Sequence, residues 1–166
     1  MSTDEVVNVV VAGLGGQGVV KASDILADAA FRAGFDVKKS ELHGMSQRGG
    51  SVSSDVRFGS EVFSPMIPRG EAGFVVVIAP DQVEVNRAML KPGGVLITPG
   101  DLDAAGVKPH QKSVNVALLG ILSVHLAIPE EHWLAALRAL LAAKHHRLNL
   151  EAFALGRSAG NRMATD

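Results

Sequence analysis

Cysteine is absent from the 166-residue sequence. Its absence excludes a disulfide framework, a catalytic thiol, and any zinc or iron–sulfur centre held by thiolates of this chain. A chain without disulfides is also compatible with the reducing environment of the cytoplasm.

The sequence also lacks an excess of either charge, since it has 16 Lys and Arg residues and 17 Asp and Glu residues, which gives a net charge of −1. This balance creates no long-range field toward nucleic acid or an anionic membrane. No apolar run reaches the length of a membrane span, and the acidic start MSTDEVVNVV lacks the basic segment of a signal peptide. We therefore expect a cytoplasmic chain with no nucleic-acid or membrane partner. Basic residues cluster around 32–48 and 138–147, and we interpret both clusters as solvated or partner-facing patches.

What the sequence does contain is an alternation of buried strands with helices. The β-branched run VVNVVVAG is typical of a strand buried on both faces of a parallel sheet. The expected elements are strands at 6–13, 35–42, 73–80 and 95–99, helices at 17–33, 80–90, 114–128, 129–144 and 147–157, and a loop at 99–113. The pattern predicts a single α/β domain over residues 1–166, with a Rossmann-like, mostly parallel sheet and helices on both faces.

One stretch departs from this alternation. Residues 51–59 alternate between apolar and polar side chains, and the run 60–68 follows directly after Gly59. We interpret the two runs as antiparallel strands joined at Gly59 and Ser60, which inserts a β-hairpin into the parallel fold.

A glycine motif separates the first strand from the first helix. The motif has the spacing Gly13-x-Gly15-x-x-Gly18. In a dinucleotide-binding loop of this kind, the first glycine permits the tight turn, the second lets a phosphate approach the backbone, and the third lets the helix pack closely on the strand. Two interpretations remain open: a nucleotide site in which Glu41 holds the ribose, or a packing turn without ligand. The loop residues are Gly13, Gly15, Gly16, Gln17 and Gly18.

A second polar stretch, SELHGMSQRGGSV, occupies residues 40–52. Polar loops of this kind lie at the surface and often carry function. A guanidinium such as that of Arg48 can hold a carboxylate or a phosphate in two bonds, and neighbouring glycines present free N–H groups. The alternative is a loop fixed by its own hydrogen bonds against another subunit. The candidate interface or CoA-channel loop comprises His43, Met45, Ser46, Gln47, Arg48, Gly49, Gly50 and Ser51.

The sequence contains no recognisable motif for catalysis or metal binding. The six histidines form no metal-binding set, a Gly-x-Ser-x-Gly nucleophile elbow is absent, and no paired carboxylates stand out. His125 lies in an apolar helix and is expected to be a core or interface residue. The sequence predicts no catalytic residue and no metal ligand in this chain.

The glycine motif and the polar loop together resemble one family. AGLGGQG, HGMSQRGGSVSSDVRFG, SPMIPRGEAGFVVVIAP and LKPGGVLI are similar to the gamma subunit or gamma domain of 2-oxoacid:acceptor oxidoreductases. The HGMSQRGGSV version most resembles the small (beta) subunit of indolepyruvate ferredoxin oxidoreductases. The resemblance covers residues 7 to about 98 and resumes at Asn115 and at LNLEAFALGR, whereas the region 99–115 is shorter than is usual in the family.

This resemblance implies a subunit of a thiamine-diphosphate enzyme that oxidatively decarboxylates a 2-oxo acid to an acyl-CoA. The substrate would be an aryl 2-oxo acid such as indolepyruvate, or a pyruvate-like acid. Thiamine diphosphate, Mg2+ and iron–sulfur clusters would belong to larger partner subunits, and a ferredoxin-type protein would accept the electrons. This chain would hold no cofactor, be inactive alone, and use its glycine loop for packing. The alternatives are a stand-alone dinucleotide-binding protein or small reductase, and a homo-oligomeric regulatory module.

Overall fold

The computed structural model describes residues 5–43 and 50–165, and its strands form one five-stranded sheet. The strands are β1 (Val7–Leu14), β2 (Asp36–His43), β3 (Ser51–Gly59), β4 (Ala72–Val77) and β5 (Leu90–Ile97). Their order across the sheet is β2–β3–β1–β4–β5. β4 pairs in parallel with β1 and β5, whereas β3 is antiparallel to both β1 and β2. The mostly parallel sheet is therefore confirmed, with β3 as its one antiparallel strand.

Helices follow the strands largely as expected. They are α1 (Val19–Arg32), α2 (Val83–Arg87), α3 (Pro99–Ala104), α4 (Val114–Ser123), α5 (Glu130–Leu140) and α6 (His146–Thr165). None of the helices in the described ranges has the length and apolar character needed to cross a membrane.

Several element boundaries differ from the sequence-based prediction, and α4 and α5 each end four or five residues before the expected position. The expected loop at 99–113 contains α3, which a capping box between Thr98 and Asp101 starts, with Pro99 in the first turn. β5 begins at Leu90 rather than Val95. Ala72 of β4 pairs with Leu90 and Phe74 pairs with Val95, so the Pro-Gly-Gly run between the two pairs forms an irregularity within the strand. α6 continues to Thr165 rather than ending near residue 157.

The two faces of the sheet are covered unequally. On one face, α1, α4, α5 and α6 enclose the larger core, in which Val9 and Val11 of β1 are fully buried. On the other face, a smaller cluster around Val10 and Ala12 is covered by Ile67 and by Val83 of the short α2. Helices on both faces are thus confirmed, although α3 also contributes Leu102 to the first face, so that five of the six described helices lie there.

The predicted hairpin between 51–59 and 60–68 is wrong. β3 instead forms its hairpin with β2, and residues 60–71, which we call the strap, contain no strand. Pro65 and Pro68 cannot donate to a strand ladder, so this run cannot continue the sheet as a regular strand. The hairpin therefore closes through the polar loop and not at Gly59.

Side chains of the sheet hold the strap instead. The N–H groups of Val62 and Ile67 donate to the carboxylates of Asp36 at 2.8 Å and Asp55 at 2.9 Å. The Arg57 guanidinium donates to the carbonyl oxygens of Ser64 at 2.9 Å and Met66 at 3.3 Å. Burial raises the pKa of Asp55, against the opposing effect of the Ile67 N–H bond.

The closest helix contact joins α4 to α6 through glycines. A Cβ atom added at Gly156 would lie 1.9 Å from the carbonyl oxygen of Ala117, and one at Gly120 would lie 2.4 Å from that of Phe153. Only residues without side chains let the two backbones approach this closely. This contact fixes α6 against α4, whose first turn borders the candidate site described below.

A substitution at Gly156 tests this contact. Gly156→Ala should lower the free energy of unfolding by roughly 1–3 kcal/mol, because α6 must move away from the Ala117 carbonyl. Urea denaturation measures the loss. Asn161→Ala, an exposed change on the same helix, should stay within about 0.5 kcal/mol of the parent. Equal stability of the two variants would contradict the close backbone contact.

Candidate functional site

The glycine loop connects the end of β1 to the start of α1. Gly16 and Gly18 adopt positive φ angles of 88° and 79°, which glycine tolerates and other residues rarely adopt. The Gln17 side-chain oxygen accepts the Leu14 N–H at 2.8 Å, and the Gln17 N–H donates to the Leu14 carbonyl at 3.2 Å. The loop is therefore closed by its own side chain, and the N-cap residue of α1, Gly18, has no side chain with which to cap the helix.

Two of the glycines in the motif stand at close packing contacts. A Cβ at Gly13 would lie 2.8 Å from the side-chain oxygen of Gln17. A Cβ at Gly18 would lie 2.5 Å from the amide nitrogen of Asn115, which donates to the Gly18 carbonyl at 3.1 Å. No atom of the neighbouring residues that the structure describes lies within 4 Å of a Cβ placed at Gly16. The loop thus joins α1 to the first turn of α4.

A cavity of about 790 Å³ opens beside the loop. Its walls come from the glycine loop (Gly16–Gly18), from the residues after β4 and β5 (Ile78, Pro80 and Pro99), and from Gln111, Lys112, Val114 and Asn115. The cavity lies at the carboxyl edge of the parallel strands, where ligands of open α/β sheets bind. The N-termini of α1 and α4 and the cation Lys112 border it, so its electrostatics favour an anion.

Glu41, the residue expected to hold a ribose, is not beside the glycine loop. β3 lies between β2 and β1, and Glu41 aligns with Ser54, which in turn aligns with Val11. Two strand spacings, roughly 10 Å, therefore separate Glu41 from the backbone of β1. Its carboxylate contacts the ammonium of Lys39, which also binds Asp24 at 2.6 Å.

The polar loop has its two ends at the same edge of the sheet. His43 is the last residue of β2 and aligns with Val52 of β3. Met45, Ser46, Gln47, Arg48 and Gly49 lie outside the described residues. The carbonyl of Gly50 accepts the Gly15 N–H at 2.9 Å, and the Ser51 hydroxyl donates to the Gln82 side chain at 2.7 Å. The two sequence motifs are thus joined where they leave the sheet.

Sequence reasoning did not identify Gln82, Lys112 or Asn115 as residues of this site. Asn115 carries the one usable signal, since it is a polar residue at the start of an otherwise apolar helix. Gln82 and Lys112 lie on short 3-10 turns that no hydrophobic periodicity marks. Only the folded chain brings them to the glycine loop.

A catalytic constellation is not evident in the described residues. No group of three or more His, Asp or Glu side chains in residues 5–43 and 50–165 is placed to hold a metal ion. His125 packs on Phe74 at a ring distance of 5.7 Å, and burial lowers its pKa. Its Nε2 atom is buried and has no hydrogen-bond partner within these ranges. His125 is thus half-buried against the sheet, and its role as a core or an interface residue stays a prediction.

Comparison with known proteins identifies relatives of this arrangement. The family model described as pyruvate ferredoxin/flavodoxin oxidoreductase matches residues 8–112, which include the glycine motif and the polar loop. The indolepyruvate oxidoreductase subunit IorB of Thermococcus kodakarensis is 40% identical over 124 residues, or 75% of this chain and 59% of that subunit. The chain thus spans about three fifths of the length of this relative.

Two solved structures share the fold. A 2-oxoglutarate:ferredoxin oxidoreductase from Magnetococcus marinus, with 2-oxoglutarate, coenzyme A and succinyl-CoA bound, has a TM-score of 0.80 at 21% identity, covering 96% of this chain and 32% of that one. The gamma subunit of a keto/oxoacid ferredoxin oxidoreductase from Geobacter sulfurreducens has a TM-score of 0.67 at 20% identity, covering 94% and 99%. At such identities the likeness establishes the fold.

The glycine loop offers a matched pair of variants. Gly18→Ala and Gly16→Ala both force alanine into a positive φ, but only the former adds a methyl group against Asn115. Gly18→Ala should therefore lose about 1–2 kcal/mol more of the free energy of unfolding than Gly16→Ala.

Thermal melting with added NAD, FAD or CoA shows whether a ligand is involved. A packing turn predicts that the difference between the two variants persists with or without nucleotide. A nucleotide-induced rise in melting temperature that the parent shows and Gly18→Ala loses would instead assign the loop to binding.

Proposed function

Because this chain belongs to the pyruvate ferredoxin/flavodoxin oxidoreductase family, we propose that it is a non-catalytic, gamma-type subunit of a 2-oxoacid:ferredoxin oxidoreductase. The complex would convert a 2-oxo acid and CoA to an acyl-CoA and carbon dioxide, and pass the released electrons through iron–sulfur clusters to a ferredoxin-type acceptor. The IorB relative supports an aryl 2-oxo acid such as indolepyruvate as substrate, with a pyruvate-like acid as the other candidate.

The observation that carries this proposal is that the glycine loop is occupied by contacts with other parts of the chain. Gln17 closes the loop, Asn115 occupies the space beside Gly18, and the Gly50 carbonyl takes the Gly15 N–H. Glu41 lies beyond β3 and contacts Lys39. These contacts support a loop that joins structural elements, with the chemistry located on partner subunits.

The cofactors of such a complex do not fit the residues of this chain. Iron–sulfur clusters need thiolate ligands, and the sequence has no cysteine. Thiamine diphosphate needs a carboxylate to activate its ring, and no Asp or Glu is among the described residues that line the cavity beside the glycine loop. We therefore assign thiamine diphosphate, Mg2+ and the clusters to larger partner subunits.

One observation favours a second candidate, an independent nucleotide-binding protein such as a small reductase. The cavity of about 790 Å³ lies beside two helix N-termini and Lys112, which suits an anionic ligand. The purified chain decides between the candidates. A stoichiometric flavin or nicotinamide absorbance on the isolated chain would favour the reductase, whereas a colourless chain that joins a thiamine-binding subunit would favour the gamma-type role.

Reconstitution tests the proposed function directly. The chain should be produced together with the large, thiamine-binding subunit of the same organism and assayed with a panel of aryl and short-chain 2-oxo acids. CoA-dependent reduction of ferredoxin is expected from the complex and not from this chain alone. A large subunit that is fully active without this chain, and does not bind it, would contradict the proposal.

Arg48 is the residue of the polar loop that we expect to contact a partner or the phosphates of CoA. Arg48→Ala should leave the melting temperature of the isolated chain unchanged, because a loop arginine contributes little to the core. It should weaken complex formation or raise the KM for CoA by an amount equivalent to about 1–3 kcal/mol.

Arg69→Ala provides the control, since Arg69 is exposed and forms no ion pair within the described residues. If both variants matched the parent in complex yield and in KM, Arg48 would be a solvated charge with no role in the complex.

A further inference from the structure

The corner between α5 and α6 carries a concentration of positive charge, most of which has no ion-pair partner within the described residues. We define the basic corner as residues 138–147 together with Lys21. Its cations are Arg138 in the last turn of α5, Lys144 in the connecting turn, Arg147 in the first turn of α6, and Lys21. Lys21 reaches this corner from α1, and its ammonium donates to the Leu140 carbonyl at 3.3 Å.

Ion pairs neutralise little of this charge. Arg147 contacts Glu151 at 3.2 Å, but both side chains are mostly exposed, so solvent screens the pair. Lys21, Arg138 and Lys144 form no ion pair with any residue of the described ranges. Among the described residues, Glu151 is thus the one carboxylate that forms an ion pair with a cation of the corner, while the whole chain has 16 basic and 17 acidic side chains. The positive charge is concentrated locally.

Helix electrostatics explain only part of this arrangement. Arg138 is favourably placed at the C-terminal end of α5, but Lys144 and Arg147 flank the N-terminus of α6, where the helix dipole is positive. The first turn of α6 contains no acidic residue that would offset them. In the isolated chain these two cations oppose the dipole of the longest described helix. An anionic surface placed against the corner would relieve that repulsion.

From this charge pattern we propose that the basic corner docks an acidic surface of the partner subunit that the proposed function requires. Complementary charge steers such an encounter and fixes its orientation. A protein surface fits better than the other polyanions. The sequence pI of about 6.6 is below that typical of nucleic-acid-binding domains. For a membrane, none of the exposed large hydrophobic side chains in the described ranges lies within 138–147 to serve as an anchor.

Charge reversal with a matched control tests the proposal. The corner variant is Arg138→Glu with Lys144→Glu, and the control is Arg69→Glu with Lys108→Glu, two exposed cations that form no ion pair within the described residues and that change the net charge equally. The two corner changes act in opposite directions on helix stability, since a carboxylate is unfavourable at the C-terminus of α5 and favourable at the N-terminus of α6. Their melting temperature should therefore remain near that of the parent.

The binding probe is the purified large, thiamine-binding subunit of the same organism. The corner variant should bind it at least about tenfold more weakly than the parent at about 50 mM salt, and the difference should shrink at about 300 mM. The control should stay within about twofold of the parent. Equal binding by the corner variant and the control would overturn the docking surface and leave the proposed function standing, whereas a parent that does not bind at any salt concentration would overturn both.

A chemical readout identifies the docked surface. A carbodiimide activates a carboxylate, and the unprotonated amine of a lysine in contact with it displaces the activated group as a urea and forms an amide. The assembled complex should therefore yield a cross-link from Lys144 or Lys21 to an Asp or Glu of the large subunit. An assembled complex without such a cross-link would overturn the proposal. Binding of single-stranded nucleic acid or of anionic phospholipid vesicles by the parent, lost in the corner variant, would overturn it in favour of that polyanion.

Discussion

The contact between the glycine loop and the first turn of α4 is the constraint on which the candidate site depends. Gly18 has no side chain, so Asn115 can donate to its carbonyl and hold α4 beside the start of α1. The same loop binds Gly50 through the Gly15 N–H, which joins it to the end of the polar loop. One tight turn therefore sets the positions of two helices and of the loop that we expect to face partners. A larger residue at this turn would disturb all of them together.

The antiparallel strand β3 decides what the glycine motif can do. In a simple dinucleotide-binding unit the second parallel strand lies beside the first, and its terminal carboxylate reaches the ribose. Here β3 occupies that place, so β2 becomes an edge strand and Glu41 contacts Lys39 instead. The motif keeps the geometry of the turn, but the strand beside β1 on this side is antiparallel, so the sheet lacks the parallel neighbouring strand that a dinucleotide site would use. This separation of the motif from its partner strand favours the packing role.

On the face of the sheet that carries the smaller cluster, the strap provides cover that longer helices provide on the other face. Carboxylates of Asp36 and Asp55 and the guanidinium of Arg57 bind backbone groups of the strap, which brings Ile67 over Val10 and Ala12. The strap keeps Phe63 and Met66 exposed, at 86% and 54% of their surfaces. Buried side chains of a parallel sheet need cover on both faces, and a segment with two prolines supplies it here without forming a strand.

The sequence by itself determined the α/β class, the glycine turn, most helices and the family, because each depends on local periodicity or on short motifs. It misplaced the hairpin, because alternation in 51–59 shows a strand but not its partner, and the prolines of 60–68 were outweighed by the apolar residues around them. Tertiary structure alone decided the position of Glu41, the meeting of Gly18 with Asn115, and the convergence of Lys21 on the α5–α6 corner. These relations join residues far apart in the chain, since strand order and helix packing depend on the burial of the whole core and leave no local pattern to read.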